Sequence, residues 1–158
     1  MKKYELTEET KVIGGKTLFR IRALRSFGDI KAGDLGGFIE NERNLSHEGN
    51  AWVSGDARVE DNARVDGDAW VDGNAQVSGD GLINSNNDYL CEKGLGSHNR
   101  SASFFKCKDG HIHVLCGCFD GNLDEFENKV KKEHGNSKYA KEYLGFIEVV
   151  KTHFEVRQ

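Results

Sequence analysis

Residues 51–86 read AWVSGD ARVEDN ARVDGD AWVDGN AQVSGD GLINSN, six consecutive units of one six-residue pattern. The first position of each hexad is Ala or Gly, and the third is Val or Ile. The last two positions are mostly Gly followed by Asp or Asn, residues that tolerate a positive φ and hydrogen-bond a turn. The pattern predicts short strands that end at corners and point one branched side chain inward, as in a parallel β-helix.

The same column of apolar residues extends back to Leu45 and Ile39, which gives roughly eight hexads between residues 39 and 86. With three hexads in each turn, the chain completes between two and three turns. So few turns bury little core alone, and they need caps or a partner chain. Trp52 and Trp70 occupy the outward position eighteen residues apart, so we expect them to stack on one face and form a subunit interface.

The segments that flank the repeat have strand and helix patterns. Thr10–Ile13 and Lys16–Leu24 alternate polar and apolar residues around two glycines, which predicts a β-hairpin that caps the first turn. Asn99–Lys108 and His111–Phe119 predict a second hairpin after the repeat.

Two helices are predicted at the C-terminal end. Asn122 is an N-cap with Glu125 three residues on, and the apolar spacing that follows ends at Gly135. A second, longer amphipathic helix begins near Ser137. Because its apolar face exceeds what a two-stranded hairpin covers, we expect the helices to pack also on the repeat or on neighbouring subunits. The fold is therefore mainly β: a hairpin cap at 1–38, a hexapeptide β-helix at 39–88 and a small α+β unit at 89–158.

The hexads resemble the hexapeptide-repeat left-handed β-helix family, and the left hand comes from that resemblance. The repeat, the segment Asp34-Leu-Gly-Gly-Phe-Ile, the Cys116-Gly-Cys-Phe element and the paired helices together resemble small proteins of bacteriophages and prophages. The first resemblance implies a homotrimer. The second implies counter-defence, particle structure or regulation of the host.

Charge is distributed unevenly along the chain, whose formal net charge is −4. Residues 1–90 carry 11 basic and 16 acidic side chains, whereas residues 91–158 carry 11 and 10. An acidic repeat disfavours general nucleic-acid binding. The sequence has no apolar run of membrane-spanning length and no secretory signal, so we expect a soluble protein, without membrane association, in the cytoplasm of an infected bacterial host.

Enzymatic chemistry has weak support in the residues. Hexapeptide acyltransferases use a histidine as general base and bind coenzyme A between two prisms. Here His47 is the histidine near the repeat, and no long loop extrudes from the hexads to close an acceptor pocket. An acyltransferase stays open as an alternative, although a non-enzymatic protein without a cofactor is favoured.

Metal ligands are abundant in one short segment, which contains Cys107, His111, His113, Cys116 and Cys118. Residues spaced by two on a strand share one face, whereas structural zinc sites usually draw two close pairs from opposed turns. We therefore expect no metal here: Cys116 and Cys118 should point into the small core with Val114, and the same alternation places His111 and His113.

The strongest polar constellation is the glycine-rich loop Gly94–Arg100, which holds Ser97, His98, Asn99 and Arg100. Its amides, hydroxyl and guanidinium suit a phosphate or carboxylate. Together with Lys106, Tyr139 and Tyr143 across subunit clefts of a trimer, the loop predicts a site for a small anionic, nucleotide-like ligand. Combined with the absence of a catalytic set, the resemblance to phage proteins implies that this ligand is a host immune signal that the protein sequesters. A connecting loop without a ligand is the simpler reading. A protein-binding inhibitor or structural phage protein, using the Trp pair or the helices, is the second function that stays open.

Overall fold

The computed structural model describes residues 2–98 and 100–156, in which thirteen strands precede two C-terminal helices. Six of these strands are two residues long, one in each hexad. Each pairs in parallel with the strand three hexads away, so Trp52 lies opposite Trp70 and Arg64 lies opposite Leu82. The six are β4 (Trp52–Val53), β5 (Arg58–Val59), β6 (Arg64–Val65), β7 (Trp70–Val71), β8 (Gln76–Val77) and β9 (Leu82–Ile83).

These pairings arrange the hexads as three short parallel stacks. The first stack contains β3 (Leu35–Ile39), β5 and β8; the second contains Leu45, β6 and β9; the third contains β4 and β7. The predicted inward column is confirmed, because its side chains are essentially inaccessible to solvent. It consists of Ile39, Leu45, Val53, Val59, Val65, Val71, Val77 and Ile83, with Ala51, Ala57, Ala63, Ala69 and Ala75 beside it. We call residues 39–83 the hexad region.

The repeat is interrupted once, between Leu45 and Val53, which are eight residues apart instead of six. Partners across this interruption are therefore twenty residues apart, as in Ile39 opposite Val59, rather than eighteen. The additional residues form a loop around His47. The His47 ring stacks on Tyr4 at 4.1 Å between centroids, so the interruption packs against the N-terminal segment.

The N-terminal end of the hexad region is closed by the predicted hairpin, β1 (Tyr4–Ile13) and β2 (Lys16–Ala23). β2 adds antiparallel to β3 and so covers the first stack. The Tyr4 hydroxyl donates to the Leu45 carbonyl at 2.7 Å, and Lys3 Nζ donates to the Ala51 carbonyl at 2.5 Å. Lys3 is completely buried, and burial lowers its pKa to about 8.

Trp52 corrects one prediction. It lies opposite Trp70 in the expected register, but it is only 1% exposed. The Phe27 ring lies edge-on at 5.3 Å, and Gly36 lies so close that a Cβ there would overlap the indole. The expected outward stripe of two tryptophans is therefore wrong for Trp52, because the segment that leads into the hexads covers it. Trp70 is partly buried.

A four-stranded antiparallel sheet follows the hexads, in the order β10 (Tyr89–Leu95), β11 (Arg100–Lys106), β12 (Ile112–Cys116) and β13 (Phe119–Asn122). The predicted hairpin corresponds to β11 and β12, so that prediction was incomplete. The two outer strands double the width of the sheet. Together with the helices, this sheet forms what we call the C-terminal unit, residues 89–156.

The two faces of this sheet serve different cores. Phe105 and Cys107 join the core of the hexad region, whereas Phe104 and Val114 join the core under the helices. The strand alternation that places Phe104 and Phe105 on opposite faces explains why both are buried.

Residues that follow the hexads also close the last strand of each stack. The Trp70 amide donates to Asn86 Oδ1 at 2.7 Å, and the Gln76 amide donates to Ser103 Oγ at 2.9 Å. Gly81, beside β9, forms an antiparallel bridge with Cys107. Both ends of the hexad region are therefore covered by other parts of the same chain.

The helices begin and end as predicted. α1 (Leu123–His134) has a capping box between Asn122 and Glu125 and stops at Gly135, whose φ is 54°. α2 (Lys138–His153) has Ser137 as its N-cap. Their buried side chains belong to the core on the far face of the sheet, so the expected packing on the hexads is wrong. In the described residues, neither helix is long and apolar enough to cross a membrane.

Candidate functional site

The glycine-rich segment Gly94–His98 spans the end of β10 and the turn that follows it. Gly94 and Gly96 have φ of 92° and 74°, a region that side chains other than glycine rarely adopt. The turn is anchored on α2: the Gly96 amide donates to Glu142 Oε1 at 2.6 Å, and the Tyr143 hydroxyl donates to the Leu95 carbonyl at 3.4 Å. A Cβ at Gly96 would overlap the Tyr143 ring. These contacts hold Leu95 and Gly96 against α2.

A cavity of about 270 Å³ lies between this turn, the turn after β12, and the two helices. Four of the predicted ligand-binding residues line it: Ser97, His98, Arg100 and Tyr143. The rest of the lining comes from β12, β13 and α1, namely Cys116, Cys118, Phe119, Phe126, Lys129, Val130, Glu133 and His134. We call this cavity the Arg100 groove.

Cationic and aromatic groups face each other in the Arg100 groove. The His134 ring stacks on Tyr143 with centroids 5.6 Å apart and planes 27° apart. Lys129 Nζ lies 5.7 Å from the centre of the Phe119 ring and 3.6 Å from the Glu133 carboxylate. Arg100 has no carboxylate within ion-pair distance among residues 2–98 and 101–156. The groove is thus lined by Arg100, whose guanidinium has no carboxylate partner in the described chain, and by the weakly paired ammonium of Lys129 beside aromatic rings.

Cys116 and Tyr143, one of the two thiols and one of the two hydroxyls that line the groove, are poorly suited to nucleophilic catalysis. Burial raises the pKa of the Cys116 thiol, although the Tyr143 hydroxyl and Arg100 partly counteract that effect. Burial also raises the pKa of Tyr143 to about 12. A neutral thiol is a weak nucleophile, and no base in the described chain activates it.

The remaining predicted ligand residues lie elsewhere. Lys106 is at the other end of β11 from Arg100, roughly 20 Å away at about 3.3 Å per residue, and it lines a different cavity. Tyr139 lies in the first turn of α2 and does not line the groove. Asn99 falls outside the described residues. Sequence reasoning missed Lys129, His134 and Phe119, and the available signal was that Lys129 and His134 flank the buried Val130 on α1.

No known protein family and no curated protein matches this sequence. Function must therefore be inferred from the side chains themselves.

A second cluster lies where β11 turns into β12, and it contains three of the five candidate metal ligands. The Cys107 sulfur and one ring nitrogen from each of His111 and His113 all lie within 4.8 Å of one another. Cys116 instead joins the core under the helices, and Cys118 is exposed. The expectation that Cys118 shares the small core with Cys116 and Val114 is therefore wrong, because Cys118 is exposed in the turn after β12.

His47, the histidine considered as a general base, is engaged structurally at both ring nitrogens. Nδ1 accepts from the Lys3 amide at 3.1 Å, so Nε2 carries the proton that is shared with Glu42 Oε1 at 3.1 Å. A ring whose lone pair accepts a backbone hydrogen bond cannot take a proton from a substrate. This arrangement disfavours the acyltransferase alternative.

Proposed function

We propose that this protein binds a small anionic ligand of nucleotide type in the Arg100 groove and retains it without chemical change. One observation carries the proposal: Arg100, which has no carboxylate partner among the described residues, lines a cavity that Lys129 and the rings of Phe119, Tyr143 and His134 also line. A guanidinium binds phosphate through two parallel hydrogen bonds, and aromatic faces bind a base or another flat ring.

The size of the groove limits the ligand. Drug-sized ligands occupy pockets of about 300–1,000 Å³, whereas this cavity measures about 270 Å³. It suits one phosphate and one ring, as in a mononucleotide. A dinucleotide would need a further wall, which a neighbouring subunit would supply.

Lys129 contributes a second positive charge that the ligand can recruit. Its pair with Glu133 joins side chains four residues apart on an exposed helix face, and such pairs stabilise a helix by about 0.3–0.5 kcal/mol. A phosphate with two negative charges competes readily with that carboxylate. We infer that Lys129 swings from Glu133 to the ligand when the groove is filled.

The proposal extends to the handedness of the hexads, the number of associated chains and the biological role. We propose that the hexads wind as a left-handed β-helix, that three chains associate, and that the protein acts in the cytoplasm of an infected bacterium by sequestering a signal of host immunity. The pairing of every third hexad and the resemblance to phage proteins support these features. Burial of Trp52 removes one surface that the protein-binding alternative required.

The first experiment is native mass spectrometry of gently purified protein, which reports the subunit number and any retained ligand. Isothermal titration calorimetry then measures inorganic phosphate and a panel of mononucleotides. Arg100→Gln should weaken nucleotide binding about 10- to 100-fold, because charge-assisted hydrogen bonds contribute about 1.5–3 kcal/mol. Arg100→Lys should recover part of the loss.

Lys129→Gln and Lys132→Gln form a matched pair, since both remove one charge from α1 but only Lys129 lines the groove among the described residues. We expect Lys129→Gln to weaken binding severalfold and Lys132→Gln to leave it unchanged. Equal losses in both variants would indicate nonspecific attraction and contradict the proposal, as would the absence of binding by every phosphate compound tested. Recovery of the nucleotide with an unchanged mass after long incubation tests the non-enzymatic part.

A further inference from the structure

The cluster formed by Cys107, His111 and His113 has the composition of a transition-metal site. Thiolate sulfur and imidazole nitrogen are the ligands that Zn²⁺ prefers. The three donor atoms lie within 4.8 Å of one another. Tetrahedral coordination with bonds of about 2.0–2.3 Å requires donors about 3.3–3.8 Å apart, so small side-chain rotations bring all three to binding distance.

The hydrogen bonds of the two imidazoles orient their facing nitrogens toward a cation. Asp109 Oδ1 lies 2.5 Å from His111 Nδ1, and Asp120 Oδ1 lies 2.5 Å from His113 Nε2. A carboxylate only accepts, so each ring donates its N–H outward. His111 Nε2 and His113 Nδ1, which are 3.1 Å apart, then both carry lone pairs. Two lone pairs at that distance repel unless a proton or a metal ion lies between them.

The carboxylates also match the usual surroundings of a metal-bound histidine. In metal sites the distal imidazole N–H commonly donates to a carboxylate, which fixes the ring and raises its basicity. Both histidines of the cluster have such a partner, and the partners come from different elements, the turn before β12 and the strand β13. Two independent carboxylate–histidine pairs converge on one point beside a thiol.

The backbone holds the three donors in a rigid frame. The Cys107 amide donates to the His111 carbonyl at 3.0 Å, and the Gly110 amide donates to the Cys107 carbonyl at 2.9 Å, which closes the turn. His113 lies within β12, opposite Phe105 on one side and Asn122 on the other. Cys107 is 5% exposed, and the side chains of His113 and His111 are 24% and 39% exposed. One side of the cluster therefore remains open to solvent.

We propose that Cys107 Sγ, His111 Nε2 and His113 Nδ1 bind one Zn²⁺ ion, with a water molecule or an external donor at the fourth position. The ion would hold the turn between β11 and β12 against the end of the hexad region, where Cys107 bridges to Gly81. The Arg100 groove shares no lining residue with this cluster, so the two sites are separate.

The test uses the full chain, freed of metal with a chelator and titrated with Co²⁺ and then Zn²⁺. We expect one Co²⁺ per chain, with a thiolate-to-cobalt charge-transfer band and the intense d–d bands of a four-coordinate site. One equivalent of Zn²⁺ should remove both. Cys107→Ser should abolish the charge-transfer band, whereas Cys116→Ser and Cys118→Ser, the matched thiol controls, should retain it.

Two further variants keep the test independent of folding of the buried Cys107 variant. His111→Gln, at an exposed position, should weaken Zn²⁺ binding by more than the effect of a lost carboxylate partner, which is about 10- to 100-fold. Asp120→Asn should give that smaller loss. Absence of stoichiometric binding would overturn the proposal and leave a shared proton between the imidazoles. A charge-transfer band that survives in Cys107→Ser, or disappears in Cys118→Ser, would also overturn it.

Discussion

The hexad region and the C-terminal unit differ in where they carry reactive groups. All four cysteines and five of the six histidines lie between residues 91 and 153, and the sixth, His47, is fully engaged in packing. The hexad region repeats one short strand and one corner, whereas the strands of the C-terminal unit share no repeated sequence. Repetition builds a scaffold, and the non-repeating segment at its end carries both candidate sites. Regular hexads alone therefore indicate little about activity.

Substitution of one core phenylalanine in each region tests whether the two regions unfold separately. Phe105→Ala removes a ring from the hexad core and Phe104→Ala removes one from the helix core, so each should lower the free energy of unfolding by about 3–5 kcal/mol. Trp52 and Trp70 report on the hexads by fluorescence, and the helical circular dichroism reports on the C-terminal unit. In denaturant, we expect Phe105→Ala to advance the fluorescence transition and Phe104→Ala the helical one. Coincident transitions in both variants would show one cooperative unit.

Substitution of one asparagine in each region compares the contribution of side-chain hydrogen bonds to the stability of the hexad region and of the C-terminal unit. Asn44 is fully buried, donates to the carbonyls of Asp61 and Ala63, and accepts from two amides. Asn44→Ala should lower the free energy of unfolding by about 3 kcal/mol, because it leaves several backbone groups without partners. Asn122→Ala removes one N-cap and should cost about 1 kcal/mol. Thermal and urea denaturation measure both, and equal losses would contradict the distinction.

The pH dependence of stability tests the N-terminal closure of the hexad region. Burial, aided by Arg25, lowers the pKa of Lys3 from 10.5 to about 8. Between these values the unfolded chain holds more protons, so this lysine makes stability rise with pH by up to about 1.4 kcal/mol per unit. We expect the difference in unfolding free energy between the wild type and Lys3→Met to rise from pH 8 to pH 10. Parallel curves would show that Lys3 does not titrate in this range.

Two turn glycines, one in each region, test the cost of backbone conformation alone. Gly73 in a hexad corner has φ of 62°, Gly135 after α1 combines φ of 54° with ψ of −118°, and nothing lies near a Cβ added at either. Gly73→Ala should cost about 1–2 kcal/mol, because a positive φ disfavours a side chain. Gly135→Ala should cost more, because its φ and ψ lie outside the left-handed region that other residues can enter. A loss in denaturation at Gly73 that equals or exceeds the loss at Gly135 would instead indicate tight coupling along the stacks.

Sequence reasoning succeeded where the determinants are local. The hexad strands, the helix caps and the first hairpin follow from the spacing of neighbouring residues. β10 was missed because Glu92, Lys93 and Gly94 interrupt its alternation, and β13 because it is short and contains Gly121. The burial of Trp52 depends on Phe27, twenty-five residues away, and no local pattern indicates that contact.

The candidate sites were predictable to different extents. The turn that carries Arg100 was identified from its glycines, but Lys129 and His134 reach the groove through the packing of α1 on the sheet, which spacing does not predict. The five possible metal ligands were recognised as a group. Only the path of the chain at the turn between β11 and β12 separates the three that meet from the two that diverge.

Both ends of the hexad region are covered, which limits how far its stacks of strands extend. A stack of identical short strands with open ends is a template to which another copy can add, as in a growing fibril. Here β2 lies over one end, and Asn86, Ser103 and Cys107 occupy the other. These capping segments cover the strand edges to which a further copy would add, and Cys107, a member of the candidate metal cluster, belongs to one of them.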